Sequence, residues 1–218
     1  MTMKKIMFND QYGLTKAVLE GRKTMTRRLV PAGIMRMAQL EANMFGENLS
    51  ERLWEHSPIL CETVAIAQSY AELYKELMAR EFMRTDALFY EFYHAMQFIK
   101  VCDTDSGWNN KMFVKADLMP HKIHITSVHA ERLQDITEED AMCEGIFKYD
   151  QPPLHHESDM YSPWPPHVKP YKFDHDNHRY FCNARAAFAY LIDKVSGRGT
   201  WKSNPYVFVY SFKLINQS

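Results

Sequence analysis

The sequence predicts an α+β fold in which short helices surround a small mixed β-barrel. Strand patterns occur at both ends of the chain and in its middle, and helical periodicity occupies the stretches between them. Residues 205–214 alternate aromatic residues with mainly aliphatic ones, so that both faces of this segment are partly apolar. Such a segment is typical of a strand that closes a barrel.

Length and charge limit the classes of function. The chain has 218 residues and a mass of 25.7 kDa, so we expect a single domain over residues 1–218. A net charge of −1 excludes a uniformly basic protein that coats nucleic acid, and leaves a local basic patch as the means of contact. No apolar run approaches the length of a membrane span, and no secretion signal is evident. We therefore expect a soluble, cytoplasmic protein without a membrane partner.

Cysteine spacing gives no sign of a disulfide scaffold or a zinc ribbon. The four cysteines are widely separated and form no Cys-x-x-Cys pair, which favours free thiols in a reducing compartment. They are Cys61, Cys102, Cys143 and Cys182.

The first half of the chain predicts alternating strands and helices. We expect a strand over residues 3–8, a helix over 12–20, an extended segment over 24–30, a helical stretch over 34–56 interrupted near Gly46, and a strand over 60–67. Residues 69–101 carry the longest helical pattern and predict two helices separated by a turn at Thr85 and Asp86. Residues 34–56 and 69–101 are interpreted as helical insertions. The aromatic stripe in the second insertion favours packing or self-association, and hence a homodimer through these helices.

The second half predicts a long strand, two helices and the closing strand. Residues 122–133 suggest a strand with one irregularity, and residues 182–195 a helix. Thr137 followed by three acidic residues is typical of a capped helix start, and this helix should end near Gly145. Residues 148–181 are rich in histidine and proline and are expected to form a long loop.

The histidines of that loop do not predict a metal centre. The loop holds five of them without a recognised zinc spacing, so we expect neither a metal nor another cofactor. They are His155, His156, His167, His175 and His178. The glycine-bracketed residues 197–201 do not match a phosphate-binding loop, and instead predict a turn.

The densest set of reactive side chains is the basic run at residues 21–28. Four cations and two hydroxyls occur within eight residues: Arg22, Lys23, Thr24, Thr26, Arg27 and Arg28. This set suits an anionic or carbonyl-bearing substrate, because it offers a nucleophile, a base and hydrogen-bond donors. A solvated helix end, in which Arg22 and Lys23 complement the helix dipole, explains the same residues. Glu144 is poorly placed for the dipole at the end of its predicted helix, which adds interest in it as a functional group.

Four segments together resemble the ASCH domain, in the version common in bacteriophage and prophage genomes. They are residues 19–28, 128–141, 144–146 and 201–207, in that order along the chain. The resemblance implies a PUA-like β-barrel with a nucleotide-sized cleft and an action on RNA or modified nucleosides. One bacterial branch is an amidohydrolase that removes the acetyl group from N4-acetylcytidine, and its catalytic residues fall by motif on Lys23, Thr26 and Glu144.

The implied chemistry assigns a role to each residue. Thr26 attacks the acyl carbon, Lys23 accepts the threonine proton if burial lowers its pKa, and Glu144 relays a proton to the departing amine. A turn at residues 21–23 is needed, since Lys23 and Thr26 begin on opposite faces of an extended segment. The expected substrate-binding residues are Arg22, Thr24, Arg27, Arg28, Trp201, Asn204 and Tyr206, with the aromatic rings available for stacking on a base.

The sequence leaves three functions open. The first is hydrolysis of an N4-acylated cytosine nucleoside. The second is a non-catalytic module that binds RNA or modified nucleic acid in the same cleft. The third is an ASCH-type ribonuclease, in which Lys23 and Arg27 stabilise phosphate charge.

Overall fold

The computed structural model describes residues 3–67, 115–116, 119–148, 171–173 and 181–215. Over these residues the fold is α+β, as predicted, with a four-stranded antiparallel sheet and helices packed on it. The sheet is built from β1 (Met25–Leu29), β2 (Thr63–Ile66), β3 (His121–Arg132) and β6 (Tyr206–Ile215) in the order β1-β6-β3-β2. A two-stranded ribbon adds β4 (Phe147–Lys148) and β5 (Tyr171–Lys172). The described strands form an open sheet with β1 at one edge, and no closed barrel is seen among them.

The central strand β6 explains why the closing segment is apolar on both faces. Val207, Phe208, Val209 and Tyr210 are all buried, because β6 lies between β1 and β3 and is covered from both sides. Alternating polar residues would have left one face unpacked. The predicted strand is confirmed, whereas its role in closing a barrel stays a prediction.

The irregularity expected in β3 is a β-bulge at Thr126. Ile125 pairs with Phe212 and Ser127 pairs with Ser211, so Thr126 has no partner in the β6 register. Beyond the bulge, His129 lies opposite Val209, which lies opposite Arg27 of β1. Arg27 and His129 therefore lie on one face of the sheet, whereas Thr26 and Arg28 lie on the other.

The predicted strand over residues 3–8 is wrong. Only Lys5 bridges to β2, in parallel with Ala65. The Ile6 nitrogen donates to the Ala65 oxygen at 3.0 Å, and the Ala65 nitrogen donates to the Lys4 oxygen at 2.9 Å. The chain then crosses the face of the sheet instead of following its edge, since Phe8 is buried with its ring centroid 5.7 Å from that of Phe212. Burial of this ring outweighs further strand pairing.

The helices largely follow the sequence pattern. The expected helix over residues 12–20 is divided by Gly13 into a 3₁₀ turn and a short α-helix, and the stretch over 34–56 is interrupted at Gly46 as predicted. Both glycines have positive φ angles, of 65° and 68°, which end a helical turn at little cost. The helices are α1 (Leu14–Leu19), α2 (Ala32–Phe45), α3 (Leu49–Glu55), α4 (Glu138–Cys143), α5 (Ala184–Ser196) and α6 (Thr200–Ser203), with 3₁₀ turns at Asp10–Tyr12 and Leu133–Asp135.

Side-chain caps fix the starts of the helices beside the site. The Thr137 hydroxyl accepts a 3.0 Å bond from the Asp140 nitrogen and begins α4, which confirms the predicted cap. Asn183 caps α5 through a 2.7 Å bond from the Ala186 nitrogen. Glu138 joins the two helices, since its carboxylate accepts a 2.7 Å bond from the Ala184 nitrogen. The predicted turn at residues 197–201 leads into α6, a single helical turn.

Helices cover both faces of the sheet and bury one apolar core. On the Thr26 face, the Tyr210 hydroxyl meets the Ser57 hydroxyl at 3.0 Å, just beyond α3. On the Arg27 face, the Phe188 ring of α5 lies 6.0 Å from the Arg27 guanidinium carbon. The largest fully buried apolar side chains of the core are Tyr210, Phe173, Phe188, Phe208, Leu53, Ile66, Ile123, Ile125 and Leu133.

Some expectations fall outside the described residues. These are the two helices at residues 69–101, the homodimer through them, and most of the loop at residues 148–181 with its five histidines. That residues 34–56 are an insertion stays a prediction. Within the part of the chain that is described, no helix is long and apolar enough to cross a membrane.

Gly145, just after α4, has a backbone conformation that favours glycine. Its φ angle is +99°, and a Cβ there would lie 3.5 Å from Ala17 Cβ and 3.6 Å from Lys23 Cβ. We expect Gly145→Ala to lower the free energy of unfolding by about 1–2 kcal/mol, because an L residue is strained at positive φ. Urea denaturation followed by circular dichroism measures it. Gly33→Ala, in α2 with open space around it, is the control and should be neutral or stabilising; equal effects would contradict the assignment of strain.

Candidate functional site

A tight turn after α1 directs Lys23 into the protein. Gly21 has a φ angle of 73°, and the nitrogens of Arg22 and Lys23 both donate to the Ala17 oxygen at 2.9 Å. This is the turn that the sequence required at residues 21–23. It leaves Lys23 only 2 % exposed, at the start of β1.

Glu144 meets Lys23 from the end of α4. The Thr24 nitrogen donates to the Cys143 oxygen at 2.9 Å, which fixes the helix end against β1. Lys23 Nζ then donates to Glu144 Oε2 at 2.5 Å and to the Glu144 backbone oxygen at 2.9 Å. Both side chains are almost completely buried, at 2 % and 4 % exposure. The two residues that the resemblance pairs, far apart in sequence, form a buried ion pair.

Arg27 holds the other side of the same carboxylate. Its side chain is fully buried, and Nη1 donates to Glu144 Oε1 at 3.3 Å. Nε donates to Glu131 Oε1 and Nη2 to Asp140 Oδ2, each at 2.9 Å. Burial disfavours the guanidinium charge, yet Glu144, Glu131 and Asp140 together raise the pKa of Arg27. Arg27 is thus a clamp for carboxylates, and Glu144 is shared between two cations.

Burial dominates the ionisation of Lys23. Desolvation lowers the pKa of this ammonium, although its contact with Glu144 acts in the opposite direction. The nearby charges of Arg28 and Arg27 lower the pKa further. A lowered pKa brings a lysine closer to the range in which it can accept a proton as a base.

A cleft of about 590 Å³ runs along the open edge of β1. Lys23, Thr26 and Glu144 all line it, so the three residues predicted as catalytic are brought to one concavity. Its walls are mainly apolar, from the segment before α1 on one side and α5 on the other. The remaining lining residues are Met7, Phe8, Asn9, Leu14, Arg27, Arg28, Leu29, Phe188, Leu191, Ile192, Val195 and Ser196. A mostly apolar concavity of this volume with a few convergent polar groups is typical of small-molecule sites.

Two residues of the basic run do not reach the cleft. Arg22 turns back onto Glu20, with Nε and Nη2 at 2.8 and 2.6 Å from Oε2, and its guanidinium lies over the Phe147 ring. Thr24 is exposed, and its backbone joins Cys143 on one side and Phe212 on the other. Neither lines the cleft with Lys23.

The predicted binding residues near the C-terminus also lie apart from the cleft lining. The Trp201 oxygen accepts a 2.7 Å bond from Gln134 Nε2, and Asn204 Oδ1 accepts a 2.8 Å bond from the Gln134 nitrogen. The Arg132 guanidinium carbon lies 4.0 Å from the centroid of the Tyr206 ring. These contacts join the end of β3 to the start of β6. A role for these residues in binding a base stays a prediction.

The sequence reasoning missed the partners of Arg27 and the apolar wall. Asp140 was interpreted only as part of a helix start, and Glu131 only as part of the segment that carries the resemblance. The only sign of Glu131 in the sequence is its place in the predicted strand over residues 122–133. The wall formed by Leu191 and Ile192 of α5 could not be distinguished from ordinary core positions.

The described residues offer no metal centre. No group of three or more histidines, cysteines or carboxylates in this part of the chain is arranged to hold an ion. The three carboxylates around Arg27 each contact its guanidinium, which is the cation that they share.

Comparisons with protein-family models, curated proteins and solved structures gave no match to this chain. Any function assigned to this chain therefore depends on the geometry of the cleft, and the ASCH resemblance stays a prediction.

Removal of the Arg27 clamp should destabilise the protein strongly. We expect Arg27→Met to lower the free energy of unfolding by about 3–5 kcal/mol, because it removes a cation from the buried Glu144 and from the part-buried Glu131 and Asp140. Denaturant titration measures the loss. Arg52→Met is a matched control, since Arg52 also contacts two glutamates, Glu47 and Glu55, but on the surface. Similar losses in both variants would contradict a special role for the buried clamp.

The lowered pKa of Lys23 should make stability depend on pH. Between the lowered folded pKa and the unfolded value of about 10.4, the unfolded chain binds more protons, so the free energy of unfolding rises with pH. Lys23→Met lacks this contribution. We expect the stability of the wild type, relative to Lys23→Met, to increase with pH through this interval and to level off above it.

Denaturant titrations of both proteins at a series of alkaline pH values measure the difference. Lys16→Met removes a lysine whose side chain is 52 % exposed, and it should behave as the wild type does. A stability difference between wild type and Lys23→Met that is constant or falls with pH would contradict the lowered pKa.

Proposed function

We propose that this protein is an amide hydrolase that acts on N4-acylated cytosine nucleosides, with an ASCH-type site in a PUA-like fold. The observation that carries the proposal is the convergence of Lys23, Thr26 and Glu144 in one cleft of nucleoside size. The sequence resemblance named the same three residues independently of the structure.

The buried pair is suited to moving protons. Lys23 Nζ donates to Glu144 Oε2 at 2.5 Å, and burial lowers the pKa of Lys23. Such a pair accepts a proton from a hydroxyl and delivers one to a departing amine, which are the two transfers that amide hydrolysis needs. Arg27 positions Glu144 through Oε1, so that Oε2 stays directed at Lys23.

The reaction proceeds in two balanced steps. The Thr26 oxygen bonds to the acyl carbon and its proton passes to Lys23, while the bond from that carbon to N4 breaks and N4 takes a proton from the pair. Water then attacks the resulting ester, the carboxylic acid leaves, and Thr26 regains its proton. The net change is one amide and one water converted to a carboxylic acid and the free cytosine amine.

The cleft walls suit the rest of the substrate. A nucleobase is flat and largely apolar on its faces, and the rings of Phe8 and Phe188 with the aliphatic side chains of α5 provide such surroundings. Water exclusion by these walls strengthens the electrostatic effect of the buried pair.

A ribonuclease is less well supported. That function needs Lys23 and Arg27 to stabilise phosphate charge, but both cations already face carboxylates at 3.3 Å or less. A phosphate near Arg27 would meet the charges of Glu131, Asp140 and Glu144.

One observation favours a binding module as the second candidate. Lys23 Nζ donates to Glu144, and no hydrogen bond joins it to the Thr26 hydroxyl. A cleft without contact between nucleophile and base can hold a modified base without cleaving it. Hydrolysis requires Lys23 and Thr26 to approach each other when the substrate binds.

Turnover of N4-acetylcytidine tests the proposal. We expect the purified protein to release cytidine and acetate from this compound, and liquid chromatography measures the products. Thr26→Val should reduce kcat/KM by at least about 100-fold, because it keeps the shape of the side chain but removes the nucleophile. Thr24→Val is the matched control on the exposed neighbour and should retain activity.

Binding of N4-acetylcytidine without product would reject the hydrolase and support the binding module. Equal activity in wild type and Thr26→Val would reject Thr26 as the nucleophile. Cleavage of an oligoribonucleotide into shorter fragments would support the ribonuclease instead.

A further inference from the structure

The cleft contains one cation that forms no ion pair within the described residues, although the charge of Glu144 acts on it at longer range. Lys23 pairs with Glu144, and Arg27 contacts three carboxylates. Arg28 forms no ion pair in this part of the chain, although it lines the same cleft. Its guanidinium donates through Nη2 to the backbone oxygen of Met7.

The guanidinium of Arg28 also has unused hydrogen-bonding capacity. Nε is buried and has no acceptor among the described residues. Its carbon lies 5.6 Å from the centroid of the Phe8 ring, and burial lowers the pKa of Arg28. A buried donor without an acceptor costs free energy, more so when it is charged, and a ligand that supplies an acceptor recovers that cost.

The position of Arg28 relates it to the reacting groups. Arg28 and Thr26 are two residues apart on β1, so their side chains leave the same face of the strand, with Cα atoms about 7 Å apart. Lys23 Nζ and the Arg28 guanidinium both lie over the Phe8 ring, at 5.7 and 5.6 Å from its centroid. A group bound by Arg28 therefore lies beside the nucleophile and the base.

We infer that Arg28 forms an oxyanion-binding subsite next to Thr26, so that the ligand of this cleft is a nucleobase derivative carrying a phosphate or a carboxylate. The inference rests on the proposed function for the identity of the base and the amide, but the anion subsite itself does not. A phosphate would come from a nucleotide in place of a nucleoside. A carboxylate would come from a dicarboxylic acyl group on N4.

Calorimetric titration of the full chain compares ligands that differ only in this anion. The ligands are N4-acetylcytidine, its 5′-monophosphate, N4-succinylcytidine, cytidine, cytidine 5′-monophosphate and inorganic phosphate. We expect at least one anionic ligand to bind about tenfold or more tightly than its neutral counterpart, because hydrogen bonds to charged groups are the stronger ones. The source of the anion is identified by which anionic ligand, the phosphate or the succinyl derivative, shows the larger increase in affinity over its neutral counterpart.

Variants assign that gain to Arg28. Arg28→Gln should bring charged and neutral ligands within about twofold of each other, and Arg28→Lys should keep part of the difference because it keeps the charge. Arg22→Gln is the matched control, since it removes a cation of the same run that lies outside the cleft and contacts Glu20; it should preserve the preference. The Nε–Hε resonance of Arg28, assigned by its absence in Arg28→Lys, should shift when inorganic phosphate is added to the wild type.

The outcomes separate this inference from the proposed function. A preference for anionic ligands that Arg28→Gln removes, without hydrolysis of any acylated ligand, supports the subsite and rejects the hydrolase. Hydrolysis with equal affinities for charged and neutral ligands supports the hydrolase and rejects the subsite. If Arg28→Gln does not fold, equal binding of charged and neutral ligands by the wild type, with no shift of the Arg28 resonance, still rejects the subsite.

Discussion

A buried ammonium and a buried carboxylate impose a strong constraint on this fold. Removing either charge from water is costly, and the cost is offset only when the geometry is good and the remaining hydrogen bonds are satisfied. Lys23 and Glu144 meet this condition through two bonds from one Nζ, with Arg27 on the other carboxylate oxygen. The turn at Gly21 and the hydrogen bond from the Thr24 nitrogen to the Cys143 oxygen bring the two side chains of this pair together.

Such a pair is a poor source of stability, since an apolar pair of similar volume is often as stable. In the proposed hydrolysis its role is chemical. A proton would move between the two groups, while Arg27 keeps the carboxylate oriented. The outer carboxylates, Glu131 and Asp140, keep Arg27 charged and in place. Glu131 and Asp140 thus position Arg27, and Arg27 in turn positions the Glu144 carboxylate that pairs with Lys23.

Local patterns predicted most of the fold. The apolar alternation of β6, the cap at Thr137 and the break at Gly46 each act over a few residues, and each appears where the sequence places it. The prediction of a strand over residues 3–8 is wrong because Phe8 is buried against the sheet. This tertiary effect overrides the strand-like pattern. The meeting of Lys23, Thr26 and Glu144 came from the resemblance and not from periodicity, which carries no information on contacts across more than a hundred residues. The clamp around Arg27 depends on which strand faces are shared, and composition or spacing cannot show that.

The bulge at Thr126 has a bearing on how this protein can vary. Side chains along a strand alternate between faces, and the extra residue reverses that alternation between the parts of β3 before and after it. With Thr126 present, Glu131 lies opposite Val207 and shares a face with Arg27. Deletion of Thr126 itself would make the pairs on either side of it consecutive, so Glu131 would stay opposite Val207. Deletion of one residue between Ser127 and Glu131 would instead turn Glu131 to the opposite face and bring Arg132 to its place. A change of length in β3 should therefore be tolerated at the bulge and not beyond it.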